Sequence, residues 1–194
     1  MVRRLAAAPY PEAMSDSPAA STSSSEAPRH RFDDGGQALS IAPLVRRFLP
    51  HLIEFRRDLH SHPELSYREH RTTDRLMTEL EAVGLEPVRL RSTGCYVDIG
   101  TGELSVALRA DIDALPIQEA TGLEFSSQNP GVAHMCGHDI HTTVMLGVAT
   151  VLADLNRTSP LSGRVRVVFQ PAEEGAPEGE EGGAGLMLKE GVFA

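Results

Sequence analysis

The alternation of two sequence periodicities constrains the fold of this chain more than any other feature. Apolar residues recur at helical spacing in four segments, at about 42–59, 66–84, 141–155 and 184–190. Strand-like segments lie between them at 96–100, 104–110 and 164–170. Helices that alternate with strands in this order predict an α/β fold, in which helices pack on a sheet.

Local signals predict several details of these elements. Pro50 lies inside the first helical segment, which is therefore kinked or divided into two pieces. Ser66 and Glu69 have the spacing of a capping box that opens the second helix. The turn Thr101-Gly102-Glu103 predicts a hairpin between the two strands that flank it. The predicted buried face of the third helix consists of Val144, Val148, Val151 and Leu155.

Composition divides the chain into a tail and one domain. Residues 1–40 are rich in Ala, Ser and Pro and lack apolar periodicity, which predicts a disordered tail. The stretch after Arg3-Arg4 is too short for a convincing signal peptide. Residues 41–194 suffice for a folded core. No segment has the length and apolarity of a membrane span, so a membrane is not an expected partner.

Charge and cysteine content limit the compartment and the partners. The net charge is −9 and no basic stripe is present, so nucleic acid is not an expected partner. Cys95 and Cys136 do not make a disulfide framework. We expect a reducing, cytoplasmic setting, which would keep Cys136 free to bind a metal.

Three short segments carry residues suited to chemistry. Cys136 and His138 offer a thiolate and an imidazole, and Gly137 between them lets the backbone turn. Glu173-Glu174 follows the strand-like segment 164–170, and Asp111 follows 104–110. Functional sites of α/β sheets gather beyond the carboxyl ends of strands, so we expect these residues to meet in one cleft.

These residue types fit metal-activated hydrolysis. A metal lowers the pKa of bound water from about 16 to near 7, and two metals about 3.5–4 Å apart can share this work. The thiolate of Cys136 is a suitable anionic ligand between two cations. Adjacent carboxylates in extended backbone point to different sides, so one glutamate of Glu173-Glu174 can bind metal while the other transfers protons.

Two other interpretations stay open. Cys136 can instead be a nucleophile, with His138 or His134 as its base. The chain can also bind a metal or a partner without catalysis. The sequence leaves open the roles of four histidines: His60, His62, His134 and His141.

Four motifs in order resemble one family. They are Arg57-Asp58-Leu59-His60-Ser61-His62-Pro63-Glu64-Leu65-Ser66, Arg109-Ala110-Asp111-Ile112-Asp113-Ala114-Leu115-Pro116, Cys136-Gly137-His138-Asp139 and Gln170-Pro171-Ala172-Glu173-Glu174-Gly175. Together they are similar to the metal-dependent amidohydrolases that include hippurate hydrolases, N-acyl-amino-acid amidohydrolases and auxin-conjugate hydrolases. The likeness covers about 49–193.

The resemblance implies a fold, a metal centre and roles. The fold would be a zinc-peptidase-like mixed sheet flanked by helices, with two divalent metal ions bound. Cys136, as the bridging ligand, His138 and Glu174 match metal ligands. Glu173 matches the catalytic base, and Asp111 matches an orienting acid. Zinc is the favoured metal because of the thiolate, while manganese, cobalt or nickel also fit the donor set.

The resemblance also implies more chain than is present. Members of this family continue into a further metal-binding histidine, a lid domain used for dimerisation and a second histidine. Three of five expected ligands are here. We therefore expect residues 41–194 to be the N-terminal part of an incomplete catalytic domain, poorly active alone and with part of its sheet exposed. The substrate would be a small N-acyl amino acid or related amide, and the full-length form a homodimer.

Overall fold

A computed structural model describes residues 41–194, and the tail predicted at 1–40 lies outside the described residues. The elements follow in the order α1 (Ile41–Ser61), α2 (His70–Ala82), β1 (Val88–Arg89), β2 (Cys95–Ile99), β3 (Ser105–Asp111), α3 (His138–Thr158), β4 (Arg164–Gln170) and α4 (Gly183–Lys189).

The four strands form one mixed sheet with the order β1-β2-β4-β3. Strand β4 pairs antiparallel with β2 and parallel with β3, so Val167 lies between Val97 and Leu108. The predicted α/β class is therefore confirmed. Strand β4 also has the predicted bounds, because its apolar residues end directly at Gln170-Pro171.

The predicted hairpin at Thr101-Gly102-Glu103 is wrong. Strand β4 lies between β2 and β3, so the two strands that flank this turn do not pair with each other. Turn residues reverse the chain locally, but they do not decide which strand becomes the neighbour. Val167, Val168 and Phe169 of β4 are fully buried, and a strand that is apolar on both faces is best placed inside the sheet.

Helices cover both faces of the sheet. On one face, α1, α2 and α3 enclose the main core, which consists of Phe55, Leu59, Leu76, Leu80, Cys95, Val97, Ile99, Ile112, Leu146, Ala149, Val167 and Phe169. On the other face, Met187 of α4 packs with Leu90, Val168 and Val192. These layers fix the carboxyl ends of β3 and β4, where the predicted site residues lie.

Helix α1 runs without interruption through Pro50, so it is not divided into two pieces there. Pro50 is exposed, and Phe48, Phe55 and Leu59 are buried on the opposite side of the helix. Only the N-terminal end of α2 differs from the prediction. Gly84, with φ of 81°, follows the helix end as its sequence position predicts.

The capping box predicted at Ser66 and Glu69 is wrong. Helix α2 begins at His70, and Glu69 makes no side-chain capping bond. Instead, Ser66 Oγ donates to Asp113 Oδ2 at 2.7 Å, and the Glu69 carboxylate accepts from Thr93 and Ala172. Both side chains bond to residues that are distant in sequence, so neither of them caps the helix.

The predicted buried face of α3 is also incorrect in part. Val144 is 58% exposed, and Val148 and Leu155 line an open groove of about 710 Å³ between α1 and α3. The core side of α3 is formed instead by Leu146, Ala149 and small polar residues. At the sheet edge, Leu104 and Val106 of the β3 region are largely exposed.

None of the helices within 41–194 combines the length and apolarity that crossing a bilayer requires.

Candidate metal centre

Gly137 places Cys136 and His138 at the start of α3. Its φ is 90°, a left-handed conformation that side chains with a Cβ rarely adopt, and nothing lies within 4 Å of where a Cβ would be. The glycine is therefore required by backbone geometry and not by crowding. Cys136 is exposed, whereas His138 in the first turn of α3 is only 2% exposed.

Hydrogen bonding orients the imidazole of His138. Its Nδ1 donates to the backbone carbonyl of Asp113 at 2.8 Å, which leaves Nε2 free. Nε2 lies 3.8 Å from Glu173 Oε2 and 3.7 Å from Glu174 Oε1. A metal-binding histidine usually donates from one ring nitrogen to an acceptor such as a carbonyl. This bond aims the other ring nitrogen at the metal site, which here is lined by acidic side chains.

Without a cation, neighbouring acids strongly favour protonation of His138. Burial lowers the pKa of this imidazole, but the side chain and backbone of Asp113, together with Asp111, outweigh burial and raise the pKa to about 9. The site therefore attracts positive charge.

The two adjacent glutamates have different environments. The Glu173 side chain is 39% exposed and the Glu174 side chain 18%. The Glu174 backbone N–H donates to Asp113 Oδ2 at 2.9 Å, which ties the loop after β4 to the segment after β3. This difference supports different tasks for the two carboxylates.

A left-handed residue turns the chain into this loop. Ala172 has φ of 49°, a conformation that costs a residue with a Cβ about 1–2 kcal/mol. Its N–H donates to Glu69 Oε1 at 2.9 Å, and its carbonyl accepts from Gly183 N at 3.0 Å. These two bonds hold the strained conformation in place.

Cys136, His138 and Glu174 converge as the sequence analysis expects. Their ligand atoms all lie within 4.8 Å of one another. Glu174 Oε1 and Asp111 Oδ1 are buried and have no hydrogen-bond partner among the described residues, whereas Asp113 Oδ1 lies 3.3 Å from His138 Nδ1. Buried carboxylate oxygens without donors are costly, and a divalent cation would satisfy them, so the donor set fits a metal.

Asp111 and Asp113 occupy different positions relative to His138. Asp111 Oδ2 lies 3.2 Å from Arg109 Nη2, and an oxygen of Asp111 can form a second ligand group with His138 and His141. Burial raises the pKa of Asp111, and Arg109 opposes this effect. Asp113 contacts both His138 and Glu174, although only Asp111 of this pair was predicted to be a site residue. The repeat Asp111-Ile112-Asp113 at a strand end was the available signal.

Known proteins include relatives with similar sequences and similar structures. Residues 107–194 match peptidase family M20/M25/M40. An N-acetylcysteine deacetylase of Bacillus subtilis is 45% identical over 152 residues, which are 76% of this chain and 38% of that protein. A Bacillus subtilis structure described as a dinuclear metal-binding peptidase of the M20 family has a TM-score of 0.69 and 44% identity, and the match covers 76% of this chain and 41% of that one.

Residues 107–194 place this part of the chain in peptidase family M20/M25/M40.

Coverage of M20 relatives is partial. A protein of Rhodococcus jostii named putative glutamate–cysteine ligase 2-3 is 55% identical over 131 residues, which are 66% of this chain but 16% of that protein. Most of that protein is therefore not shared, and its name says nothing about the shared segment. The chain spans about two fifths of the deacetylase and of the dinuclear peptidase.

The structure describes all four histidines whose roles the sequence left open. His60 bonds to the carboxylates of Asp139 and Glu119, which are distant in sequence, and His62 Nδ1 donates to the nearby Asp58 carbonyl. His141 is exposed beside His138, with ring centroids 5.6 Å apart. His134 is 4% exposed, and neither ring nitrogen has a partner among the described residues.

The environment of Cys136 does not resemble that of an activated thiol. A hydrogen bond to Glu174, some burial and the charges of nearby acids raise the pKa of the thiol to about 11. Catalytic cysteines have lowered pKa values because positive groups surround them. Cys136 would become a thiolate only beside a cation, such as a metal ion that it binds.

Proposed function

We propose that this chain supplies part of the active site of a metal-dependent amidohydrolase that removes the acyl group from N-acyl amino acids or related amides. The observation that carries the proposal is the convergence of Cys136, His138 and Glu174 around unpaired carboxylate oxygens. The similarity to an N-acetylcysteine deacetylase supports the substrate class.

Cys136, His138 and Glu174 would hold the metal. The similarity to a dinuclear M20 peptidase supports two ions, for which a thiolate at Cys136 is a suitable shared ligand. Zinc is the favoured metal, and manganese, cobalt or nickel would also bind such donors. When bound, these ions would polarise the acyl carbonyl and acidify water.

Glu173 would transfer the proton. Its side chain is the more exposed of the two glutamates and faces His138 Nε2, so it lies beside the proposed metal ligands without being buried among them. The carboxylate would take a proton from the attacking water as the new C–O bond forms at the acyl carbon. It would then deliver the proton to the amine nitrogen as the C–N bond breaks. Asp111 would orient the site from the end of β3.

Domain organisation and compartment are part of the same proposal. Residues 41–194 would form the N-terminal part of a catalytic domain that requires further elements for full activity, and the full-length form would be a homodimer. Two free cysteines, one of them within the proposed centre, support a reducing, cytoplasmic compartment.

Metal binding is the first test. Equilibrium dialysis with Zn²⁺ and Mn²⁺, followed by elemental analysis, should show bound metal in the unsubstituted chain. Cys136→Ser, His138→Gln and Glu174→Gln should each lower the affinity at least tenfold. Glu178→Gln, at an exposed position of the same loop region, is the matched control and should bind normally. Normal affinity in all three ligand variants would refute the proposed centre.

Turnover is the second test. Hydrolysis of N-acetylcysteine, hippurate and a panel of N-acyl amino acids should depend on added metal. Glu173→Gln should retain metal and lose turnover, which separates proton transfer from ligation. Activity that survives a chelator would favour Cys136 as a nucleophile instead. Metal binding without turnover, even when the relatives' remaining segments are supplied, would favour a non-catalytic metal-binding protein.

A further inference from the structure

Ala172 is the point at which the chain leaves β4 and turns towards the proposed metal ligands. It is 2% exposed and has a left-handed backbone, with φ of 49°. Glu174 follows two residues later. Any change in the backbone at Ala172 would therefore redirect the Glu174 carboxylate away from Cys136 and His138.

Glu69 is fully buried and holds Ala172 from the start of α2. One carboxylate oxygen, Oε1, accepts from Ala172 N–H at 2.9 Å, and the other, Oε2, accepts from the Thr93 hydroxyl at 2.5 Å. Both oxygens are thus satisfied inside the protein. Burying a carboxylate costs free energy, so its position beside a strained loop needs a physical reason.

The surroundings of this loop leave little room for it to relax. A Cβ on Gly94 would lie 2.6 Å from the Phe169 carbonyl and 2.7 Å from Pro171 Cδ. A Cβ on Gly183 would lie 1.7 Å from the Pro171 carbonyl. The segment 171–172 is therefore enclosed between the β1–β2 turn and the start of α4, with Glu69 beneath it.

We propose that Glu69 is a positioning residue that fixes the backbone at Ala172 and thereby places Glu174 for metal binding. The inference rests on the proposed metal centre. Glu69 is not one of the proposed ligands, and it acts on Glu174 through the backbone of Ala172. The effect of its removal should therefore appear in metal affinity and in the local backbone, and not only in global stability.

Cobalt binding gives the first readout. The chain is titrated with Co²⁺, and the thiolate-to-metal absorption band of Cys136 is followed at a temperature where circular dichroism shows every variant folded. Glu69→Ala should weaken Co²⁺ binding at least tenfold. Glu69→Gln, which keeps an oxygen for Ala172 N–H, should stay within threefold of the unsubstituted chain. Thr93→Val is the matched control, because it removes the other bond of the same carboxylate, and should also stay within threefold.

Hydrogen exchange gives the second readout and needs no metal. The Ala172 amide should exchange at least tenfold faster in Glu69→Ala than in the unsubstituted chain, relative to the core amide of Leu146. Should Glu69→Ala not fold, Glu69→Gln carries this test, with an expected acceleration of at least threefold because the bond to Ala172 loses its charge.

The outcomes separate the inference from the proposed function. Absence of Co²⁺ binding in the unsubstituted chain would contradict both. Normal binding in the unsubstituted chain and in Glu69→Ala would overturn the inference alone. So would equal losses of affinity in Glu69→Ala and Thr93→Val, or unchanged exchange at Ala172, because Glu69 would then contribute to folding and not to the position of the loop.

Discussion

Asp113 Oδ2 accepts a hydrogen bond from the Glu174 backbone N–H at 2.9 Å, and this bond joins the segment after β3 to the loop after β4. The same oxygen accepts from Ser66 Oγ, and the Asp113 carbonyl accepts from His138 Nδ1. Burial opposes ionisation of Asp113, but the bonds from His138, Glu174 and Ser66 outweigh it and lower the pKa of this carboxyl. One fully buried aspartate thus fixes two of the proposed metal ligands.

Replacing Asp113 should affect stability and metal binding together. Asp113→Ala leaves the Glu174 N–H and the Ser66 hydroxyl without an acceptor, so we expect the free energy of unfolding to fall by about 3 kcal/mol. Urea denaturation measures this loss, and Zn²⁺ affinity should fall in the same variant. Ser66→Ala removes a single bond and should cost about 1 kcal/mol. Equal losses in the two variants would contradict this role of Asp113.

Metal should stabilise the chain through Cys136. Zn²⁺ at one hundred times its dissociation constant adds about 2.7 kcal/mol to the free energy of unfolding, which corresponds to a rise in Tm of about 5–10 °C for a domain of this size. A chelator should reverse the rise, and Cys136→Ser should abolish most of it. Cys95→Ala provides the control, because Cys95 is a buried core residue outside the proposed centre. A Tm shift that persists in Cys136→Ser would remove this thiol from the ligands.

The residues that the sequence identified best are those whose signals are local. Strand β4 has its predicted bounds because apolar side chains mark the strand and Pro171 marks its end. Cys136 and His138 could be selected because donor atoms and a glycine occur within three residues. Their convergence with Glu174 followed from the general position of sites at strand ends.

The errors involve partners that are distant in sequence. Glu69 has the spacing of a capping residue, but Thr93 and Ala172 bind its carboxylate instead. The turn at 101–103 reverses the chain, although β4 then inserts between the strands on either side. Asp113 was missed for the same reason, since its bonds to Ser66 and Glu174 become visible only when the sheet is assembled.

Gly94 should be less tolerant of a side chain than Gly84. Both have positive φ, 83° and 81°, but only Gly94 would place a Cβ against neighbouring atoms, the Phe169 carbonyl and Pro171 Cδ. Gly84→Ala should cost about 1–2 kcal/mol, which is the conformational term. Gly94→Ala should cost about 1–3 kcal/mol more, because the added methyl group overpacks the site. Urea denaturation of the two variants compares them directly, and similar losses would show that the β1–β2 turn can move away from Pro171.

The ion pair of Asp98 and Arg166 should make stability depend on pH in the acid range. Arg166 Nε and Nη2 donate to the two oxygens of Asp98 at 2.7 and 2.6 Å, and these hydrogen bonds lower the pKa of Asp98. A carboxyl whose pKa is lower in the folded state stabilises the fold fully above its unfolded pKa of about 3.9. The stabilisation is lost as pH falls through the folded pKa.

Asp98→Asn tests this linkage. At pH 7 it should lower the free energy of unfolding by about 1 kcal/mol, a modest value because the Asp98 side chain is 32% exposed and partly screened by solvent. The difference between Asp98→Asn and the unsubstituted chain should shrink below about pH 4, where the unfolded carboxyl binds a proton. Asp74→Asn breaks a pair with Arg89 at a side chain that is 71% exposed, and should change stability by less than about 0.5 kcal/mol at either pH. A deficit in Asp98→Asn that stays constant from pH 7 to pH 3 would mean that packing of the Asp98 side chain, and not its charge, stabilises β2 against β4.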